Sequence, residues 1–181
     1  MQFLPTKIPD VILVELPKFG DHRGFFMETY HEQKFSDGGI SATFIQDNHA
    51  SSQKNILRGL HYQLKFPQGK LIRCIKGQIL DICVDIRKNS PTFGQWVGEI
   101  LSSENARQLY VPPGFAHGYV VRSDNAEVEY KCTELYHPED DYGILWNDPA
   151  IGIDWGIENP ILSEKDKQQP LLKDVKDILF K

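Results

Sequence analysis

The stretch ILDICVDIR, residues 79–87, alternates strictly. Leu80, Ile82, Val84 and Ile86 fall on one side, and Asp81, Cys83, Asp85 and Arg87 on the other. A two-residue period belongs to a strand, because successive side chains of an extended chain leave on opposite faces. The same kind of segment recurs along the chain. KLIRCI precedes it across a Lys76-Gly77 turn, which predicts a hairpin, and FGQWVGEILS and RQLYVPP continue as short strands. GYVVRS and AEVEYKCTELY are expected to pair across Asp124-Asn125. VILVEL, GFFMETY and TFIQDNHAS add strand candidates upstream. Short strands separated by Gly, Pro and Asn turns predict a mainly β fold, an antiparallel sandwich or barrel. Only the tail departs from this. SEKDKQQP starts on a capping Ser163, carries Glu164 and Asp166 in its first turn and ends at Pro170, and LLKDVKDILF reads as a second short helix.

No repeat, low-complexity tract or linker divides the 181 residues, so a single domain over 1–181 is expected. The net charge of −5 gives no global electrostatic basis for binding nucleic acid, so an anionic ligand must be held by a local basic cluster. Cys74, Cys83 and Cys132 form no Cys-x-x-Cys pair and read as reduced, strand-borne residues of a cytoplasmic protein. The N-terminal MQFLPTKIPD has no apolar signal core, and no apolar run approaches the roughly 20 residues of a membrane-spanning helix.

The candidate chemistry starts in NILRGLHYQLKFPQGK, residues 55–70. Counting by twos puts Leu57, Gly59, His61 and Gln63 on one face. A bulge at Gly59 would change that phase, so the side taken by Arg58 stays open. Taken alone, a histidine in a strand is more often structural than functional, and His61 reads first as a core residue. A second histidine, His117, follows a Pro-x-Gly turn in VPPGFAHGYV, which is half of the metal-binding signature of cupin barrels. The other half needs a His-x-His pair and a glutamate, and His61-Tyr62-Gln63 offers one imidazole and an amide. That is a poor ligand set for a transition metal, so no metal is expected. The remaining use for His61 is proton transfer, for which a pKa near neutrality suits it. A base that inverts a carbon needs a donor on the opposite side. Tyr130, in phase with Val128 and Cys132, could serve or could simply fill the barrel. Lys70, in phase with Ile72 and Cys74, could stabilise an oxyanion or be a solvated lysine.

Taken together, these stretches resemble the dTDP-4-dehydrorhamnose 3,5-epimerase family, of the cupin superfamily. The resemblance rests on FGDHRGFFMETY, FIQDNHASSQKNILRGLHYQ, the long run from QGKLIRCIKG to GEILS, LYVPPGFAHGYVV, EYKCTELYHPEDDYGILWNDPAIGIDW and LSEKD, in family order. It implies a cupin-type jelly roll with short C-terminal helices, acting as a cofactor-free homodimer on a dTDP-4-keto sugar. By position it implies His61 as base, Asp166 as the carboxylate orienting it, Tyr130 as proton donor and Lys70 as enolate stabiliser. It places Tyr136 on the thymine, and Arg23, Glu28, Gln46, Asn48, Arg58, His117 and Lys165 against the sugar nucleotide. Asp141 stands where the family often has Glu, and reads either as a contact or as a plain loop acid. Tyr62 and Tyr119 are assigned only to packing. The absence of a Gly-rich dinucleotide loop agrees with chemistry that needs no redox cofactor. The rival readings are a relative that epimerises one carbon, a keto-isomerase, and a non-catalytic sugar-nucleotide binder. Tyr130 separates the first reading from a keto-isomerase, and the joint presence of His61, Tyr130, Lys70 and Asp166 speaks against a mere binder.

Overall fold

The computed structural model describes residues 1–175 and 179–180. Two antiparallel sheets face one another. The first contains, in spatial order, β1 (Gln2–Pro5), β2 (Ile12–Glu15), β10 (Arg107–Val111), β7 (Lys70–Lys76), β12 (Asn125–Cys132) and β5 (Gln46–Gln53). The second contains β13 (Asp141–Gly143), β6 (Leu57–Gln63), β11 (Phe115–Val121), β8 (Gln78–Asp85) and β9 (Trp96–Ser102). A separate hairpin joins β3 (Phe19–Asp21) to β4 (Gly24–Phe26). The architecture is the expected cupin-type jelly roll.

The strand faces follow the alternation of the sequence, but two expected pairings do not. β7 and β8 are joined at Gly77 yet lie in opposite sheets: β7 pairs with β10 and β12, and β8 with β11 and β9. β11 and β12 likewise turn at Ser123–Asn125 and separate into different sheets, so neither expected hairpin forms. The reason is burial. Crossing between sheets at each turn puts the inner faces of consecutive strands against each other, and periodicity records a strand's faces without naming its neighbour.

Ile72, Leu109, Val111 and Val128 of the first sheet meet Ile79, Cys83, Val97 and Val121 of the second in the central core. The Leu80, Ile82, Val84 and Ile86 face of β8 points outward, under the C-terminal segment, against Ile151, Trp155 and Leu172. Asp81 and Asp85 therefore face inward and are fully buried. All three cysteines are free, buried and on strands. On the outside of the first sheet lies α1 (Glu32–Asp37), a six-residue helix with no periodic signal, anchored by its single buried residue, Phe35. In the tail, Ser163 caps α2 (Glu164–Lys167) as its sequence predicts. Of the second expected helix, the described residues form a 3-10 turn at Leu172–Asp174, and residues 176–178 lie outside the described residues. No described helix is long and apolar enough to cross a membrane.

Candidate active site

β6 carries the centre of the site, and its shape depends on two glycines. His61 pairs with His117 across β6 and β11, whereas Arg58 pairs with Tyr119. Three residues on β6 thus advance against two on β11, a bulge that resolves the open phase: Arg58 and His61 both face the interior. Gly59 sits at the bulge with φ 115°, in the region that side chains avoid. A Cβ there would come within 2.6 Å of the Gly118 Cα and the His117 carbonyl oxygen. Gly59 and Gly118 let the two backbones approach where a side chain would hold them apart.

His61 Nε2 lies 2.6 Å from Oδ1 of Asp166, a residue 105 positions later in the sequence. Asp166 is buried, and its own N–H donates to Ser163 Oγ at 3.1 Å. Burial raises the Asp166 pKa, but hydrogen bonds from His61, Ser163 and the Gly59 backbone outweigh it and hold the carboxyl below its ordinary value. An ionised carboxylate only accepts, so it fixes the proton on Nε2 and leaves Nδ1 as the basic nitrogen.

A cavity of about 500 Å³ opens beside this pair. His61 and Arg58 line it from the second sheet, Lys70 and Tyr130 from the first, and Lys165 and Asp166 from α2. Gln46, Asn48 and Gln63 line its neighbouring lobe together with His61, Tyr130 and Tyr136. Burial pushes the Lys70 ammonium below its usual pKa, with Cys132, Asp141 and Asp81 opposing the shift. Among the described residues, no side chain pairs with this ammonium. Burial, with help from Cys132 and Tyr119, pushes the Tyr130 hydroxyl up to about 12, so it holds its proton at neutral pH.

Around these, Arg58 Nε donates to Ser52 Oγ at 3.0 Å, and Asn48 Nδ2 donates to Cys132 Sγ at 3.4 Å. Asp141 is no isolated loop acid: it lies in β13 and accepts from the Tyr136 hydroxyl at 3.0 Å and from the Lys165 ammonium. His117 reaches the cavity from β11 and is bound through Nε2 by both carboxylate oxygens of Asp81, at 2.8 and 3.0 Å. Sequence reasoning missed Asp81 as a partner. Its signal was a carboxylate on the strand face that also carries Cys83 and Asp85. Two sequence candidates do not join the cavity. Arg23 is exposed on the β3–β4 hairpin and paired with Asp21, and Glu28 pairs with Lys34. No group of three or more metal-ligating side chains stands together among the described residues.

Residues 5–174 match the model of a family described as dTDP-4-dehydrorhamnose 3,5-epimerase. A relative of that name from Salmonella typhimurium is 55% identical over 175 residues, covering 95% of this chain and 96% of its own. The crystal structure of the Legionella pneumophila dTDP-6-deoxy-D-glucose-3,5-epimerase, in complex with dTDP-4-keto-L-rhamnose, superposes with a TM-score of 0.96 at 45% identity. It covers 99% of this chain and 97% of its own. ChmJ, a 3'-monoepimerase from Streptomyces bikiniensis solved with dTDP-quinovose, superposes at 0.91 with 30% identity, covering 99% and 92%.

Proposed function

Since the chain belongs to the dTDP-4-dehydrorhamnose 3,5-epimerase family and epimerises carbons 3 and 5 of dTDP-4-dehydro-6-deoxy-D-glucose, we propose that His61, Lys70 and Tyr130 carry out both inversions. The observation that carries this reading is the placement of His61 and Tyr130 on opposing sheets across one cavity.

The ketone at carbon 4 acidifies the protons on its two neighbours. His61 Nδ1 removes one of them, and Asp166 stabilises the imidazolium that results. The negative charge moves onto the ketone oxygen, where the unpaired Lys70 ammonium meets it in a site of low dielectric. Tyr130 then delivers its proton to the other face of the carbon, which inverts the centre. Exchange with water then takes the proton from the His61 imidazolium and returns one to the Tyr130 phenolate, so the same groups serve the second carbon, which flanks the same carbonyl.

Tyr136 offers its ring to the thymine, and Arg58 offers a planar fork to the diphosphate. Gln46, Asn48, His117, Lys165 and Asp141 complete the contacts to the sugar nucleotide. Arg23 and Glu28 reach a substrate only if a second copy supplies them. The β3–β4 hairpin beside them exposes Phe19, Phe25 and Phe26 at 64, 62 and 70%, apolar surface that a homodimer would cover. Three free buried thiols suit a reducing cytoplasm.

Tyr130→Phe tests the division of labour. In deuterated water this variant should still exchange substrate protons, because His61 and Lys70 are intact. Its yield of the doubly inverted product, trapped by a reductase, should fall about 10²-fold or more. Full inversion in the variant would remove Tyr130 from the donor role.

A further inference from the structure

We infer that Gln63 is a positioning residue that holds the Tyr136 ring at a set distance from His61. The inference rests on the reading of Tyr136 as the platform for the thymine. Tyr136 is 54% exposed, so packing does not fix where its ring stands. Its hydroxyl bond to Asp141 holds only the tip of the ring, and the backbone at its base is clamped. The Gln63 side chain is 4% exposed and donates to the Leu135 carbonyl at 3.0 Å and to the Phe66 carbonyl at 2.8 Å. Its amide oxygen accepts the His137 N–H at 2.9 Å. One side chain therefore grips the residues on both sides of Tyr136. Gln46 Oε1 accepts the Tyr136 N–H itself at 2.8 Å.

A buried carboxylate closes the far end of the same loop. Asp140 accepts from the Lys65 and Phe66 N–H groups at 3.1 and 2.8 Å, and the Phe66 ring stacks on His137 with centroids 3.9 Å apart. Gln63 and His61 are two residues apart on one face of β6, so the rigid strand spaces the platform from the base. A platform ordered before the ligand arrives spares binding the cost of ordering the loop. Without the clamp that cost falls on the nucleotide, while the His61–Asp166 pair, Lys70 and Tyr130 stay as they were.

The probe is dTDP, measured by calorimetry alongside epimerase kinetics. Gln63→Met keeps the length of the side chain and removes its hydrogen bonds. It should raise the dTDP Kd and the substrate KM about tenfold or more, with kcat within about threefold. Tyr136→Ala should weaken dTDP as well, and adding Gln63→Met to it should cost less than about a further twofold, because both act through one ring. Should Gln63→Met fail to fold, Asp140→Asn provides the second reading, with an expected rise in Kd of about threefold or more. Unchanged dTDP affinity in folded Gln63→Met, or in folded Asp140→Asn, overturns the inference. So does an additive double variant, or a fall in kcat with affinity intact. Normal dTDP affinity in Tyr136→Ala alone removes the platform, and the inference with it.

Discussion

His61→Ala should abolish proton exchange at both carbons, a loss of about 10³-fold or more, while dTDP still binds. The cavity holds a second imidazole, but it is no substitute. His117 is 8% exposed and its Nε2 is engaged by both oxygens of Asp81. Lys70 is committed to the ketone oxygen in the proposed reaction, and the Tyr130 hydroxyl, pushed up to about 12, keeps its proton at neutral pH. The substitution also leaves Asp166, 3% exposed, without its imidazole partner, so stability should fall by about 1–3 kcal/mol. Proton NMR in deuterated water reads the exchange, and calorimetry with dTDP shows that the pocket survives. Exchange within tenfold of the parent would place the base elsewhere.

Gly59→Ala should cost about 3 kcal/mol or more of stability, the range reserved for a backbone conflict that cannot relax. Two penalties add. The φ of 115° disfavours any side chain, and the new Cβ would press within 2.6 Å of backbone atoms of Gly118 and His117. Relief requires prising β6 from β11, which carry His61 and His117 at the point of contact. Gly152→Ala is the control, since Gly152 has φ 64° with open space where the Cβ would go. It should cost about 1–2 kcal/mol, from conformation alone. Denaturant unfolding of the two variants measures the difference, and equal losses would show that the close approach of the two strands does not matter.

Much of this architecture is legible in local patterns. The strand faces of β7, β8 and β12 follow from alternation, and that alternation already sends Lys70 inward with Ile72 and Tyr130 inward with Val128. What alternation does not encode is partnership. It marks the turn at Gly77 correctly and misassigns the strands on either side, because a turn between sheets and a turn within one use the same residues. The interior position of Arg58 depends on a bulge whose glycine is visible but whose register is a tertiary fact. The His61–Asp166 contact closes a loop of 105 residues, and no spacing rule reaches that far. Family resemblance supplied it. Resemblance also brought Arg23 and Glu28 into the candidate set, and a single chain leaves both outside the cavity. The helix at Glu32–Asp37 escaped notice because one buried aromatic makes no period.

In the proposed reaction one base and one facing donor serve two carbons. Incubating the protein with dTDP-4-dehydro-6-deoxy-D-glucose in deuterated water tests it most directly, with the position of each deuteron read by NMR after reductive trapping. Deuterium is expected at both carbon 3 and carbon 5, in a product inverted at both. Deuterium at carbon 3 alone, as a monoepimerase of the ChmJ kind would leave it, or at neither carbon in a folded sample, would contradict that reaction.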